Sequence, residues 1–233
     1  MAIDRDGELF QINPFDTELR RRLWYQLLFL DLRAAEARGC LSAVLQYDTR
    51  PPTHLNDSDI YPEMTEYPKP ATGLTEMTVP LMRYEVLRLG RRLQATGCRD
   101  IVISPQAKRN LIEKVQKDIN EKYMQYCEGA GPFYEYAAKV VNLMIGRTNL
   151  VVYQDKIQAA SQTDRDWLFN VCIQIMEFYH DIRRNTTCRR WTWLLKIHVR
   201  LSSLPLPNIP PTPPSLGGSQ KSQQSPLKLH VRR

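Results

Sequence analysis

Residues 14–39, PFDTELRRRLWYQLLFLDLRAAEARG, constrain the fold more than any other stretch of the chain. They read as one long helix. Asn13 is a good N-cap, Pro14 suits the first helical position, and Asp16 lies where a carboxylate meets the positive end of the helix dipole. Gly39 follows the last periodic residue and can take the left-handed conformation that ends a helix. Between these ends Leu19, Leu23, Leu27, Leu30 and Ala34 recur at steps of three and four, forming one apolar stripe. Trp24, Leu28 and Phe29 widen it beyond what one partner helix covers, so this helix is expected inside a bundle, not on its rim.

Its charges narrow the reading further. Arg20, Arg21 and Arg22 are consecutive, fan around the axis at about 100° each, and cannot all face water equally. Asp16 precedes Arg20, and Glu18 precedes Arg22, by four residues in the favourable acid-first order. One reading is a solvated charge run, which contributes little. The other is that the arginines clamp carboxylates or helix carboxyl ends on neighbouring segments, with Asp31 and Glu36 as candidate partners.

Five further helices follow from periodicity. A second spans roughly 75 to 96 on Met77, Leu81, Tyr84, Val86, Leu89 and Leu93, ended by Gly97. Pro80 fits if that helix starts late, at Thr78, and otherwise bends it. A third opens at Ser104–Pro105 and repeats Leu111, Val115, Ile119 and Tyr123 until Gly129. Pro132 opens a fourth to about Tyr153, with Phe133, Tyr136, Ala137, Val140, Met144 and Leu150 inside and Gly146 loosening it midway. Thr163 and Asp166 form a capping box for a fifth, which buries Trp167, Leu168, Val171, Ile175, Phe178 and Ile182 and stops at Asn185. A sixth begins near Thr187 with Trp191, Leu194, Leu195 and His198. The expected class is all-α: an irregular bundle of about six helices.

Between the first two helices, residues 40–74 hold Pro51, Pro52, Pro62, Pro68 and Pro70, which leaves room for an extended loop with at most one helical turn. The cluster Asn56, Asp57, Ser58, Asp59 sits in it. A magnesium site with Asp31 and Glu36 would want its acids on a helix facing a cavity, so cap and turn duty is the better reading. From Leu201 onward the periodicity stops. Seven of the 16 prolines fall in these last 33 residues, beside GGSQKSQQS, so 201–233 is expected to be a disordered tail. That tail carries Lys221, Lys228, Arg232 and Arg233 and no acid, while the other 200 residues supply only +3 of the net +7. A body so close to neutral has no dense basic face for phosphates, which argues against direct DNA contact.

The chemistry-bearing signals are weak. GxGxxG, P-loop, GxSxG and HExxH patterns are absent from the sequence. The five cysteines, 40, 98, 127, 172 and 188, are scattered and never in CxxC spacing, which disfavours both a disulfide framework and a zinc site. A Cys–His dyad drawn from Cys172 or Cys188 with His180 or His198 competes with the commoner buried, inert cysteine. Trp24, Tyr25, Tyr84, Trp167, Phe178, Trp191 and Trp193 read as core in preference to a ligand pocket. The longest apolar run, LLFL at 27–30, cannot span a bilayer, and MAIDRDGELF is too acidic for a secretory signal; an intracellular compartment is expected. Catalytic, cofactor-binding and metal-binding residues are therefore all expected to be none.

Five blocks in order carry a resemblance: the 14–39 stretch, YDTRPPTHLNDSDI at 47–60, GLTEMT at 73–78, EKYMQYCE at 121–128 and RRWTWLLKIHV at 189–199. Over roughly residues 7 to 199 they resemble the regulatory middle region of fungal binuclear zinc-cluster transcription factors. The resemblance implies a helical regulatory domain over 13–200, after a polar lead-in at 1–12 and before the tail. It implies a non-catalytic, nuclear regulator (cytoplasmic if truncated) that acts through protein partners or the transcription machinery, and a homodimer. The family's zinc is held by six closely spaced cysteines near its N-terminus, a module missing here, so no cofactor is expected in this chain. An apolar small-molecule effector, and so a helical sensing domain, is the alternative implied; an inactive fragment of a longer DNA-binding activator is another. The family continues its Trp-rich helix where this chain turns to proline, so a splice or frame change near residue 200 is expected.

Overall fold

The structure, a computed structural model, describes residues 3–38, 46–98, 104–151, 161–185 and 189–191. Among these residues it is helical and strand-free, which is the all-α class expected. Five α-helices carry it: α1 (Pro14–Arg38), α2 (Thr78–Cys98), α3 (Pro105–Lys122), α4 (Pro132–Val151) and α5 (Gln162–Arg184). Short 3-10 turns occur at Gly7–Phe10, Asp57–Asp59, Met124–Tyr126 and Arg189–Trp191. Beyond that last turn, the expected sixth helix falls outside the described residues, as does the whole of 201–233.

α2 is the centre. It packs against α1 on one side and against α3 and α4 on the other, and α4 in turn carries α5. Its buried residues therefore lie on more than one side of it: Leu81, Met82, Tyr84, Val86, Leu87, Leu89 and Leu93 are all buried. The late start holds. The Thr75 carbonyl accepts from the Thr78 N–H at 3.1 Å, and Pro80 falls in the first turn, where a missing N–H costs nothing. Gly97 lies inside the helix, which runs one residue beyond it.

Other boundaries move for local reasons. The Ser104 hydroxyl caps α3 as expected by accepting from the Ala107 N–H, but the helix gives way to a 3-10 turn after Lys122, and Gly129 (φ +73°) belongs to the turn that follows. The cap of α5 is Ser161, not Thr163: its hydroxyl accepts from the Asp164 N–H at 3.2 Å, and Asp164 plays the part expected of Asp166. Asn185 ends that helix, and Leu168, Val171, Ile175, Phe178 and Ile182 are buried while Trp167 is only half so. Gly146 does not loosen α4. A Cβ there would lie 3.0 Å from Ile175 Cγ1, so the glycine lets α4 and α5 approach. Phe133, at the start of α4, is exposed and meets Trp191 at 5.6 Å, the rings tilted by 58°, rather than entering the core.

α1 overturns the central expectation. It packs chiefly on α2 and on the turn at Gly7–Phe10, so it sits at an edge of the bundle. Its buried arc is Trp24, Tyr25, Leu28, Phe29, Leu32 and Ala35. The stripe expected to be core points outward: Leu19, Leu23, Leu27 and Leu30 are 42%, 52%, 41% and 51% exposed, and Ala34 is exposed beside them. Both sides of this helix are apolar, and the side that wins carries three aromatic rings, each of which buries more surface than a leucine. Tyr25 meets Tyr84 of α2 at 5.2 Å between ring centroids, and Trp24 meets Tyr47 of the loop at 5.7 Å.

Candidate interaction surface

The polar half of α1's buried arc fixes which way the helix turns. Asp6 accepts from Arg21 Nε at 2.9 Å and Nη2 at 2.7 Å, and from the backbone N–H groups of Glu8 and Arg50 at 3.1 and 2.8 Å. Glu8 accepts from Arg21 Nη2 and from Arg50 Nη1, each at 2.6 Å. Asp6 and Arg21 are only 2% and 4% exposed. Burial alone would raise the Asp6 carboxyl, but the hydrogen bonds from Arg21 and the two backbone donors outweigh it and hold it below its ordinary range. For Arg21, burial opposes the charge and the bonds to Asp6 and Glu8 more than restore it.

One turn before, buried Glu18 accepts the backbone N–H and the hydroxyl of Thr53, at 2.9 and 3.0 Å, and Arg22 bridges Glu18 (3.4 Å) to Asp57 (2.5 Å). Arg21 and Arg22 are thus clamps. The partners of Arg21 and Arg22 are Asp6, Glu8, Glu18 and Asp57, not the Asp31 and Glu36 that the sequence put forward, because the loop and the lead-in both fold back across the start of α1. The acid-rich DRDGE at 4–8 was the signal for it.

The same clamps pin the proline-rich loop. His54 is buried, with Nδ1 2.9 Å from the Ala71 carbonyl and Nε2 2.9 Å from the Thr78 hydroxyl. A carbonyl can only accept, so Nδ1 carries a proton and donates to Ala71, while Nε2 and the Thr78 hydroxyl share the second hydrogen bond. The Thr78 hydroxyl also accepts from the Thr75 N–H at 2.8 Å, which ties the loop to the first turn of α2. Asn56 and Asp59 do cap duty, the Asn56 N–H donating to Asp59 at 2.8 Å, while Asp57 serves Arg22.

Reactive chemistry finds little support in this arrangement. Burial pushes the Cys127 thiol up to about 11 and raises that of Cys172, the reverse of what activates a nucleophile. Cys188 and His198 lie outside the described residues. Trp24, Tyr25, Tyr84 and Phe178 are core, Trp167 and Trp191 are half-buried, and Trp193 is outside the described residues. Among the described residues, no group of three or more His, Cys, Asp or Glu is placed to hold a metal ion, and no helix is long and apolar enough to cross a membrane.

What remains is surface. Beside the leucine row, Arg83 of α2 lies 4.0 Å above the Phe29 ring, its Nε buried and unbonded. Burial chiefly, and Arg33 nearby, lower its pKa. A second, smaller row on α5, Phe169, Ile173 and Met176, is also exposed.

Comparison with known proteins gives the chain relatives in sequence. The chain is 28% identical over 216 residues to pyriculol/pyriculariol biosynthesis cluster transcription factor 1 of Pyricularia oryzae, covering 84% of this chain and 29% of that protein. It is 25% identical over 206 residues to an aurofusarin cluster transcription factor of Gibberella zeae, covering 82% of this chain and 30% of that one. A C6 finger domain transcription factor of Aspergillus fumigatus is 28% identical over 165 residues, 58% of this chain and 21% of its own. The chain thus spans less than a third of the length of these curated relatives. No family model and no solved structure matches it. The chain is thus similar to the middle region of several fungal zinc-cluster transcription factors, as its sequence blocks indicated.

Proposed function

We propose that this chain is a non-catalytic transcription-regulatory module that works in the nucleus through protein contacts. The observation that carries the reading is similarity over more than four-fifths of its length to two transcription factors, both named for biosynthetic gene clusters. Control of such a cluster is the role that those names favour here. A contact role is favoured over a chemical one: the buried Asp6, Glu18 and Arg21 are spent on pinning a loop, burial raises the thiols of Cys127 and Cys172, and Tyr25 packs on Tyr84. Direct DNA contact is not part of the reading, since the net +7 is more than half supplied by residues 201–233. On this reading the domain spans residues 13–200, with the lead-in at 4–8 clamped onto it.

The test is to fuse the 233-residue chain to a heterologous DNA-binding domain in yeast and measure a reporter transcript. A change in transcript level that is lost when the core is broken by Leu28→Asp supports the proposal. A stably produced, nuclear fusion that leaves transcription at the level of the DNA-binding domain alone refutes it.

A further inference from the structure

The lead-in is a separable piece of this fold. Residues 3–10 lie along residues 48–50 of the loop and across the start of α1, and polar bonds hold them there. The Ile3 carbonyl accepts from the Thr49 hydroxyl at 2.9 Å, and the Asp4 carbonyl accepts from the Asp48 and Thr49 N–H groups at 3.1 and 3.3 Å. The Asp6 N–H donates to Asp48 Oδ1 at 2.8 Å, and Arg5 pairs with Asp48 Oδ2 at 2.6 Å. With Asp6 and Glu8 closed on Arg21 and Arg50, the charges of Arg5, Asp6 and Glu8 all meet their opposites. The seat is also selective in shape. A Cβ at buried Gly7 would overlap the Thr17 side chain, so an acidic segment with any side chain at that place does not fit.

The turn that joins this piece to α1 is strained. Gln11 has φ 54° and ψ 31°, and among the described residues it is the one non-glycine with a positive φ. That conformation brings Cβ too close to a carbonyl oxygen, and folding the lead-in back requires it. Beside the turn, Leu9 and Phe10 are 59% and 43% exposed, so the closed form leaves both large apolar side chains in water. A lead-in supplied by a second copy would make the same bonds to Arg21, Asp48, Thr49 and Arg50. Exchange would then keep those bonds, relax two hinges, and bring Leu9 and Phe10 of the two copies together where the hinges pass. The entropy lost on joining two chains opposes it, so the exchanged pair is favoured by high concentration.

We propose that residues 3–10 exchange between two copies of this chain, with Gln11 as the hinge, so that each copy completes the Arg21 site of the other with its Asp6 and Glu8. The exchange is independent of the transcriptional reading, and its test uses no reporter.

The 233-residue chain is incubated at near-millimolar concentration, then diluted and examined at once by velocity sedimentation. A dimer that forms on concentration and decays slowly on dilution is expected, because separating the copies requires both lead-ins to open. Gln11→Gly, which is at ease in the left-handed region, should lower the dimer constant at least roughly tenfold, since each dimer relaxes two hinges. Gln11→Val, β-branched and worse placed there, should raise it. To identify the contact, Arg5→Cys chain is mixed with Asp48→Cys chain and treated with a short bis-maleimide. The mixture should yield a heterodimer whose linked peptides carry positions 5 and 48, as mass spectrometry of the digest would show. A chain that stays monomeric at every concentration overturns the proposal, as does a dimer indifferent to both Gln11 variants. So does a mixture without that link while a single chain carrying both substitutions links internally, or a dimer that Leu23→Asp dissociates.

Discussion

Removing the Asp6 carboxylate tests whether the clamp, rather than the leucine row, orients α1. Asp6→Ala takes away the acceptor of two bonds from the Arg21 guanidinium and of the Glu8 and Arg50 N–H groups. Arg21, 4% exposed, keeps the Glu8 carboxylate and the Tyr67 ring, 5.5 Å away. A hydrogen bond to a charged group contributes about 1.5–3 kcal/mol, but the four share one carboxylate and are not additive. Stranding a buried charge outright costs about 3–5 kcal/mol; Glu8 still holds Arg21, so we take the lower end, about 3 kcal/mol, as the expected loss. At about 2–4 °C per kcal/mol for a domain of this size, the melting temperature should fall by roughly 6–12 °C. Urea unfolding followed by circular dichroism measures the free-energy loss. The double variant Asp6→Ala/Arg21→Met should lose clearly less than the two single losses combined, since Arg21→Met leaves no guanidinium to strand. A single-variant loss below about 1 kcal/mol, the contribution of an exposed pair, would refute the argument that these charges set the register of α1.

Three further outcomes follow from the same structure. Because the Asp6 carboxyl is held below its ordinary value of 3.8, its contribution is complete above that pH and is lost as pH falls through the depressed value; wild type should therefore lose more stability than Asp6→Asn between pH 5 and about 2. Gly146→Ala should fail to stabilise despite alanine's roughly 1 kcal/mol advantage in a helix, because its Cβ would press on Ile175 Cγ1 at 3.0 Å; a rise in melting temperature of several degrees would show that α4 and α5 have slack. Cys127, buried and with its thiol at about 11, should resist alkylation at pH 8 in the folded protein and react once urea unfolds it, as mass spectrometry of the labelled peptide would show.

The sequence made some features legible and hid others, and α1 shows why. Its limits came from caps, a local property: Asn13 Oδ1 does accept the Asp16 N–H, at 2.7 Å. Ser104, Asn185 and the apolar positions of α2 and α5 were readable for the same reason, since each depends on neighbours within one or two turns. The face that α1 buries is not local. Period-3.6 counting finds two apolar sides on this helix and cannot rank them, and the leucine row is the more regular of the two. What decides is made elsewhere in the chain: a carboxylate at Asp6, a backbone N–H at Thr53 and a ring at Tyr47 all meet the opposite side. Turning the helix to bury the leucines would carry Glu18 and Arg21 away from those partners and put Tyr25 and Phe29 into water. Regularity of an apolar stripe therefore measures fitness for a straight helical partner, whether or not that partner is in the same fold. In α1 the irregular, aromatic side packs the irregular interior, and the regular side is left on the surface.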